Sequence, residues 1–167
     1  MHNCNEDIIK AITAFLQLIG INILFDDIDA AQCFVPGIKI TKGCLLLDLK
    51  HLKYPGDILH EAGHIAVATP GDRMQLDGIL EMNSDKAAAE EMMALAWSYA
   101  AAIHLNINPQ IVFHANGYNG GGMQLIDSYE NGNGCGVPML AWIGLTNAKS
   151  DKFIKTNCFP YMIKWTR

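Results

Sequence analysis

The sequence predicts an α+β domain in which a small mixed or antiparallel sheet packs against two helices. Three observations lead there. A helical segment between Pro55-Gly56 and Pro70-Gly71 carries two histidines four residues apart. A long alanine-rich stretch, Lys86 to Leu105, consists almost wholly of good helix formers. Between Gly43 and Leu49 lies a short apolar run, Cys44-Leu45-Leu46-Leu47, whose length suits a strand better than a helix.

The elements follow in order. Asp7 to Leu18 reads as a first helix, with Asp7 as cap and Ile8, Ile12, Phe15, Leu16 and Ile19 at helical spacing. Gly20 is its natural stop. Ile21 to Phe25 reads as a short strand. Asp26, Asp27 and Asp29 then form a polar loop, because a calcium loop needs more oxygen ligands at set positions. Pro36-Gly37 marks a turn before a strand ending at Ile40, and Lys42-Gly43 marks a hairpin into the central strand Cys44–Leu49. The motif helix runs to about Ala68, where Pro70-Gly71 ends it. Ser84 or Asp85 caps the long helix, and Asn106, Asn108 and Pro109 close it. Pro109 to Ala115 reads as helix or strand. Glycine-rich loops at Asn116–Gly122 and Asn131–Gly136 bracket a helix over residues 123–130, and Val137 to Thr146 reads as a helix with Trp142 toward a core. No repeat or linker divides the 167 residues, so one domain over 1–167 is expected.

Composition narrows the function classes. The formal net charge of -5 opposes nucleic-acid binding, and the spaced Lys149, Lys152 and Lys155, with Lys164 and Arg167, read as a solvated face. Cys4, Cys33, Cys44, Cys135 and Cys158 form no close pair, which fits thiols in a reducing compartment. The N-terminus lacks a basic and apolar leader, and no run is long enough to span a bilayer. A cytoplasmic protein without membrane partners is expected, its oligomeric state left open.

The chemistry concentrates in His60-Glu61-Ala62-Gly63-His64. Chance places such a motif in roughly one chain of this composition in a hundred, so context has to carry weight. Here the context is apolar: Glu61 is the one charged residue between Asp57 and Asp72. Burying two imidazoles and a carboxylate there is costly without partners, and a metal ion supplies one. Zinc suits paired imidazoles. Glu61, about 100° around the helix from His60, is placed to take a proton from water as general base.

A third protein ligand is sought among Glu81, Asp85, Glu90, Glu91, His104 and His114. Glu91 is preferred, because Ala87, Ala94, Leu95 and Ser98 give its side of the helix a small-residue surface; Glu90 is the alternate. Amide hydrolysis also needs a donor for the developing oxyanion, and the candidates are Tyr118, His114 and Tyr129, the first two preferred. Tyr118 lies in a glycine-rich stretch that reads as a flexible surface loop, with a mobile lid as the alternative.

With these residues in view, the chain resembles the zincin metallopeptidases, especially the small HExxH proteins found among phage anti-repressor proteases and radiation-response regulators. In that group a glutamate in a second helix is followed by a Phe-Ala pair; here Glu91 is followed by Leu95-Ala96. The segment Pro55 to His64 is also similar to a Pro-Gly-Asp-x-Leu-His-Glu-Ala-Gly-His stretch of uncharacterised bacterial proteins. The resemblance covers residues 7 to 105. The three-histidine extension of metzincins is absent. What the resemblance implies is a zinc-dependent hydrolase acting on a peptide or protein. The strand Leu45 to Leu49 would be similar to the edge strand that lines the substrate. The alternative is a catalytically inactive metal-binding domain that regulates or binds a partner, with the tail Ile163–Arg167 lying in its own or a neighbour's groove.

Overall fold

The protein is described from a computed structural model, which covers residues 2–29, 31, 33–77, 85–132, 134–147 and 158–167; for residues 2–4 and 85 the backbone alone is described. It is a small α+β fold with a mixed sheet and several helices. The elements are α1 (His2–Leu18), β1 (Ile23–Phe25), β2 (Ile38–Thr41), β3 (Cys44–Leu47), α2 (Asp57–Val67), α3 (Pro70–Arg73), α4 (Asp85–His104), α5 (Gly122–Glu130) and α6 (Val137–Trp142). Single turns of 3₁₀ helix stand at Pro109–Ile111 and Tyr118–Gly120.

The sheet order is β1-β3-β2, with β1 parallel and β2 antiparallel to β3. The β2–β3 hairpin turns at Lys42 and Gly43, with φ of 47° and 72°. Paired left-handed residues match the twist of a hairpin, as the Lys-Gly step leads one to expect. Ile38, Ile40, Leu45 and Leu47 point to one face and are buried, because side chains alternate along a strand. That face lies on α2.

The buried face of α2 comprises Ile58, Leu59, Ala62, Ile65 and Ala66. It meets the sheet on one side and α4 on another. Gly63 is the point of nearest approach: a Cβ there would stand 2.9 Å from the Ala94 carbonyl oxygen and 3.2 Å from the Ala94 Cβ. From Met93 to Ala102 every residue of α4 is buried, since α5 and α6 cover the sides that α2 leaves open. A helix buried all round needs no polar stripe, which is why this one is apolar along most of its length.

Several expectations are corrected. Helix α1 begins at His2, not Asp7; its first turns are polar and carry no apolar periodicity that could reveal them. Pro70-Gly71 starts α3 instead of merely ending α2, with Thr69 Oγ1 accepting from Asp72 N–H at 3.1 Å and Pro70 in the first turn. Strand β3 is central, so the edge-strand role expected for Leu45 to Leu49 fails; the edges are β1 and β2. Helix α6 stops at Trp142, because Gly144 (φ 77°) turns the chain back and Leu145 N–H caps the Leu140 carbonyl at 2.9 Å. Trp142 is 86% exposed, not core, since Val137 and Leu140 occupy the buried side of that short helix.

The C-terminal tail does not enter the groove beside the motif. Trp165 packs on Phe15, Trp97 and His104, and its carbonyl accepts from Trp97 Nε1 at 2.9 Å. Arg167 N–H donates to the Ala66 carbonyl at 2.9 Å, while Arg73 Nε reaches the Ile65 carbonyl at 3.1 Å. The open carbonyls at the end of α2 are thus satisfied by distant residues. Ser84, Glu81, Lys149, Lys152 and Lys155 lie outside the described residues, as does the side chain of Asp85. No helix among the described residues is long and apolar enough to cross a membrane.

Candidate metal centre

Helix α2 places Asp57, His60, Glu61 and His64 at i, i+3, i+4 and i+7, which is one stripe of its surface. Glycine at 56 allows its first turn to press against the Ile111 backbone, and glycine at 63 allows its last turns to press against α4. The stripe therefore opens into a cavity of about 510 Å³ instead of facing bulk solvent. Also on the cavity wall are Glu91 from α4, His114, Asn116 and Tyr118 from the loop after α4, Tyr54, and Phe34 to Pro36 from the turn before β2.

The two ring nitrogens His60 Nε2 and His64 Nε2 stand 3.3 Å apart, with the ring planes at 86°. Glu91 Oε1 is 3.6 Å from His60 Nε2, and Glu91 Oε2 is 3.3 Å from His64 Nε2. Each of His60, Glu61 and His64 also offers one ligand atom within 4.8 Å of the others. These spacings allow a test of fit. Bonds of about 2.0–2.1 Å to a tetrahedral zinc put neighbouring ligand atoms about 3.3–3.4 Å apart. The His60–His64 separation meets that edge length, and the Glu91 carboxylate lies close by, although it approaches the two rings through different oxygens. Two imidazole nitrogens and a carboxylate so close are short of donors for their lone pairs, a shortage that a cation relieves. His60 Nδ1 and His64 Nδ1 are buried without a hydrogen-bond partner among the described residues.

Electrostatics follow the crowding. Burial, aided by the neighbouring His64, pushes His60 down to about 4. Burial also disfavours charge on His64, but the bond to Glu91 and the charge of Glu61 outweigh it and raise its pKa. For Glu91, burial is likewise outweighed by the His64 bond and the nearby imidazoles, and its pKa is lowered. Burial pushes Glu61 up to about 6, with the Glu91 and Asp57 carboxylates adding to it against His64. Tyr118 is held above its ordinary range by burial and by the charges of Asp57, Glu91 and Glu61, so its phenol stays protonated.

The sequence-derived candidates separate clearly in space. Glu91 faces the histidine pair, whereas Glu90 lies 3.8 Å from Lys86 Nζ. His104, at the far end of α4, packs on Phe15 and Trp165. Tyr118 sits edge-on to His60 with centroids 5.8 Å apart. It and Asn119 adopt left-handed φ of 54° and 53°, which costs a side chain about 1–2 kcal/mol. Its ring is wedged against Phe113 at 5.2 Å, a contact that holds it there. His114 lines the same cavity, but its Nε2 is 3.0 Å from Asp57 Oδ1 and its ring stacks on Tyr54 at 3.8 Å. Burial raises the Asp57 pKa despite that bond.

Asp57 and Tyr54 were not singled out from sequence. Asp57 had a signal, since it lies one turn before His60 and Glu61 on the same stripe. Tyr54 had none, because its place depends on the loop that carries His114. Comparison with protein-family models, with curated proteins and with solved structures finds no match for the chain. The arrangement itself is zincin-like: a His-Glu-x-x-His cluster on a helix that is packed between a mixed sheet and a second helix.

Proposed function

We propose that the protein is a zinc-dependent hydrolase of peptide bonds, with His60, His64 and Glu91 holding the ion and Glu61 as general base. The observation that carries this reading is the convergence of two imidazole nitrogens 3.3 Å apart with the Glu91 carboxylate within 3.6 Å of both, beside Glu61 and open to a cavity. Zinc held there supplies Lewis acidity at neutral pH.

The chain's own groups account for the remaining work. Glu61 stands beside the ligand set because it follows His60 by one residue. It takes a proton from the attacking water as the water oxygen bonds to the carbonyl carbon. It returns that proton to the nitrogen as the C–N bond breaks, leaving a carboxylic acid and an amine. Tyr118, protonated and beside His60, donates its O–H to the carbonyl oxygen as negative charge grows there. His114 stands on the same wall with its Nε2 engaged by Asp57 and its ring stacked on Tyr54, and so serves to position that wall.

The test is a paired measurement of metal content and turnover on a mixed peptide substrate. Wild-type protein loaded with zinc is expected to cleave. Glu61→Gln is expected to keep one equivalent of zinc and lose about 10²–10⁴-fold in kcat. Undiminished turnover in that variant would sink the mechanism. Metal binding without turnover in the wild type would turn the reading toward a regulatory domain.

A further inference from the structure

The cavity beside the histidine pair has an apolar ledge that the chemistry above does not use. Phe34, Val35 and Pro36 form it. Val35 packs on the core, but Phe34 is 77% exposed and is not among the residues packed there. A phenylalanine in a fold of this size ordinarily contributes by being buried, since removing its ring from water is favourable. Here it stands at the wall of a cavity with its face open.

The ledge is also rigid. Ile38 N–H donates to the Val35 carbonyl at 3.1 Å, and Gly37 follows Pro36 with φ of 78°. Proline then glycine at these positions suits a type II turn. Gly37 presses on the Leu52 backbone so closely that no side chain fits, and its carbonyl accepts from Asp48 N–H at 2.9 Å. The turn is thereby clamped to the segment that leads into Tyr54, another part of the cavity wall. Asn116 Nδ2 in turn donates to Tyr54 Oη at 2.8 Å. A preorganised apolar surface of this kind favours binding because little freedom remains to be lost.

We infer that Phe34, Val35 and Pro36 are a specificity subsite for an apolar side chain of the substrate, on the residue next to the scissile bond. That the ligand is a peptide rests on the hydrolase reading; that the subsite is apolar rests on the ledge alone.

The experiment uses short quenched-fluorescent peptides that differ only in the residues flanking the scissile bond, with leucine, phenylalanine, serine or aspartate at each. Cleavage is measured with the zinc-loaded wild type, and binding with zinc-loaded Glu61→Gln protein. Leucine or phenylalanine at one of the two positions is expected to exceed serine by about tenfold in both kcat/KM and affinity. Phe34→Ser is expected to remove most of that ratio, Phe34→Leu to keep it, and Trp142→Ser, at an exposed site elsewhere, to leave it unchanged. A Phe34→Ser variant that weakens every peptide alike overturns the subsite, as does a wild type without apolar preference. Selective binding without cleavage overturns the hydrolase reading and supports the subsite. Cleavage without selectivity does the reverse, and loss of both overturns both.

Discussion

Glu90 and Glu91 differ by one residue and about 100° of helix rotation. That rotation separates a carboxylate paired with Lys86 from one set beside two imidazoles. Loss of the inner carboxylate should matter far more than loss of the outer one. Glu91→Gln is expected to weaken zinc binding by at least about tenfold, and Glu90→Gln to change it little, in a competitive titration against a chromogenic chelator. Equal effects from the two variants would remove Glu91 from the ligand set. The sequence barely separates the two glutamates, because Ala94 borders the side of each and small residues line both. His60, Glu61 and His64 were legible from spacing alone, because i and i+4 share a helix face whatever surrounds them. Phe34 and Tyr54 were not, since no local pattern marks a loop residue that is brought to a site by the turn beneath it.

Among the elements, the α2–α4 contact sets the geometry of the centre. The Gly63 Cα hydrogens leave no room for a side chain against Ala94, and Glu91 lies one turn before Ala94 on α4. Moving the helices apart therefore moves Glu91 away from the histidines. Gly63→Val should destabilise by about 1–3 kcal/mol through overpacking. It should also lower zinc affinity, although it removes no ligand. Chemical denaturation and the same chelator titration read the two effects; a destabilised variant with unchanged zinc affinity would show that the contact does not position Glu91. The end of α2 depends on distant groups as well. Arg73 and Arg167 satisfy the Ile65 and Ala66 carbonyls, so the motif helix is held from both sides of the chain.

For the whole molecule, acid stability has an identifiable contributor outside the candidate metal centre. Asp48, buried after β3, accepts from His51 Nδ1 at 2.7 Å, Ile28 N–H at 3.1 Å and Lys50 N–H at 3.0 Å. The His51 bond leads, and together these contacts hold its carboxyl at about 2 instead of 3.8. A depressed folded value favours the ionised form in the native state. Its contribution is therefore present above the ordinary value and is lost as pH falls through about 2. Urea midpoints of wild type and Asp48→Asn are expected to differ most above about pH 5 and to converge toward pH 2. A gap that stays constant with pH would refute this role. Asp48 also ties β3 to the segment that leads into the Phe34–Gly37 turn through the Gly37 carbonyl, so the same residue supports both the sheet and the cavity wall.

The chain by itself determined what depends on neighbours in sequence: two imidazoles on one helical turn, a hairpin at Lys42-Gly43 and a long apolar helix. Helix and turn geometry are local, so spacing suffices. Tertiary packing decided the rest. It turned Trp142 to solvent, drew Asp57, His114 and Tyr118 into one cavity and brought Phe34 to its rim. Those placements arise from backbone contacts between segments far apart in the chain, such as Gly56 on Ile111 and Gly37 on Leu52, which leave no periodic trace in either segment.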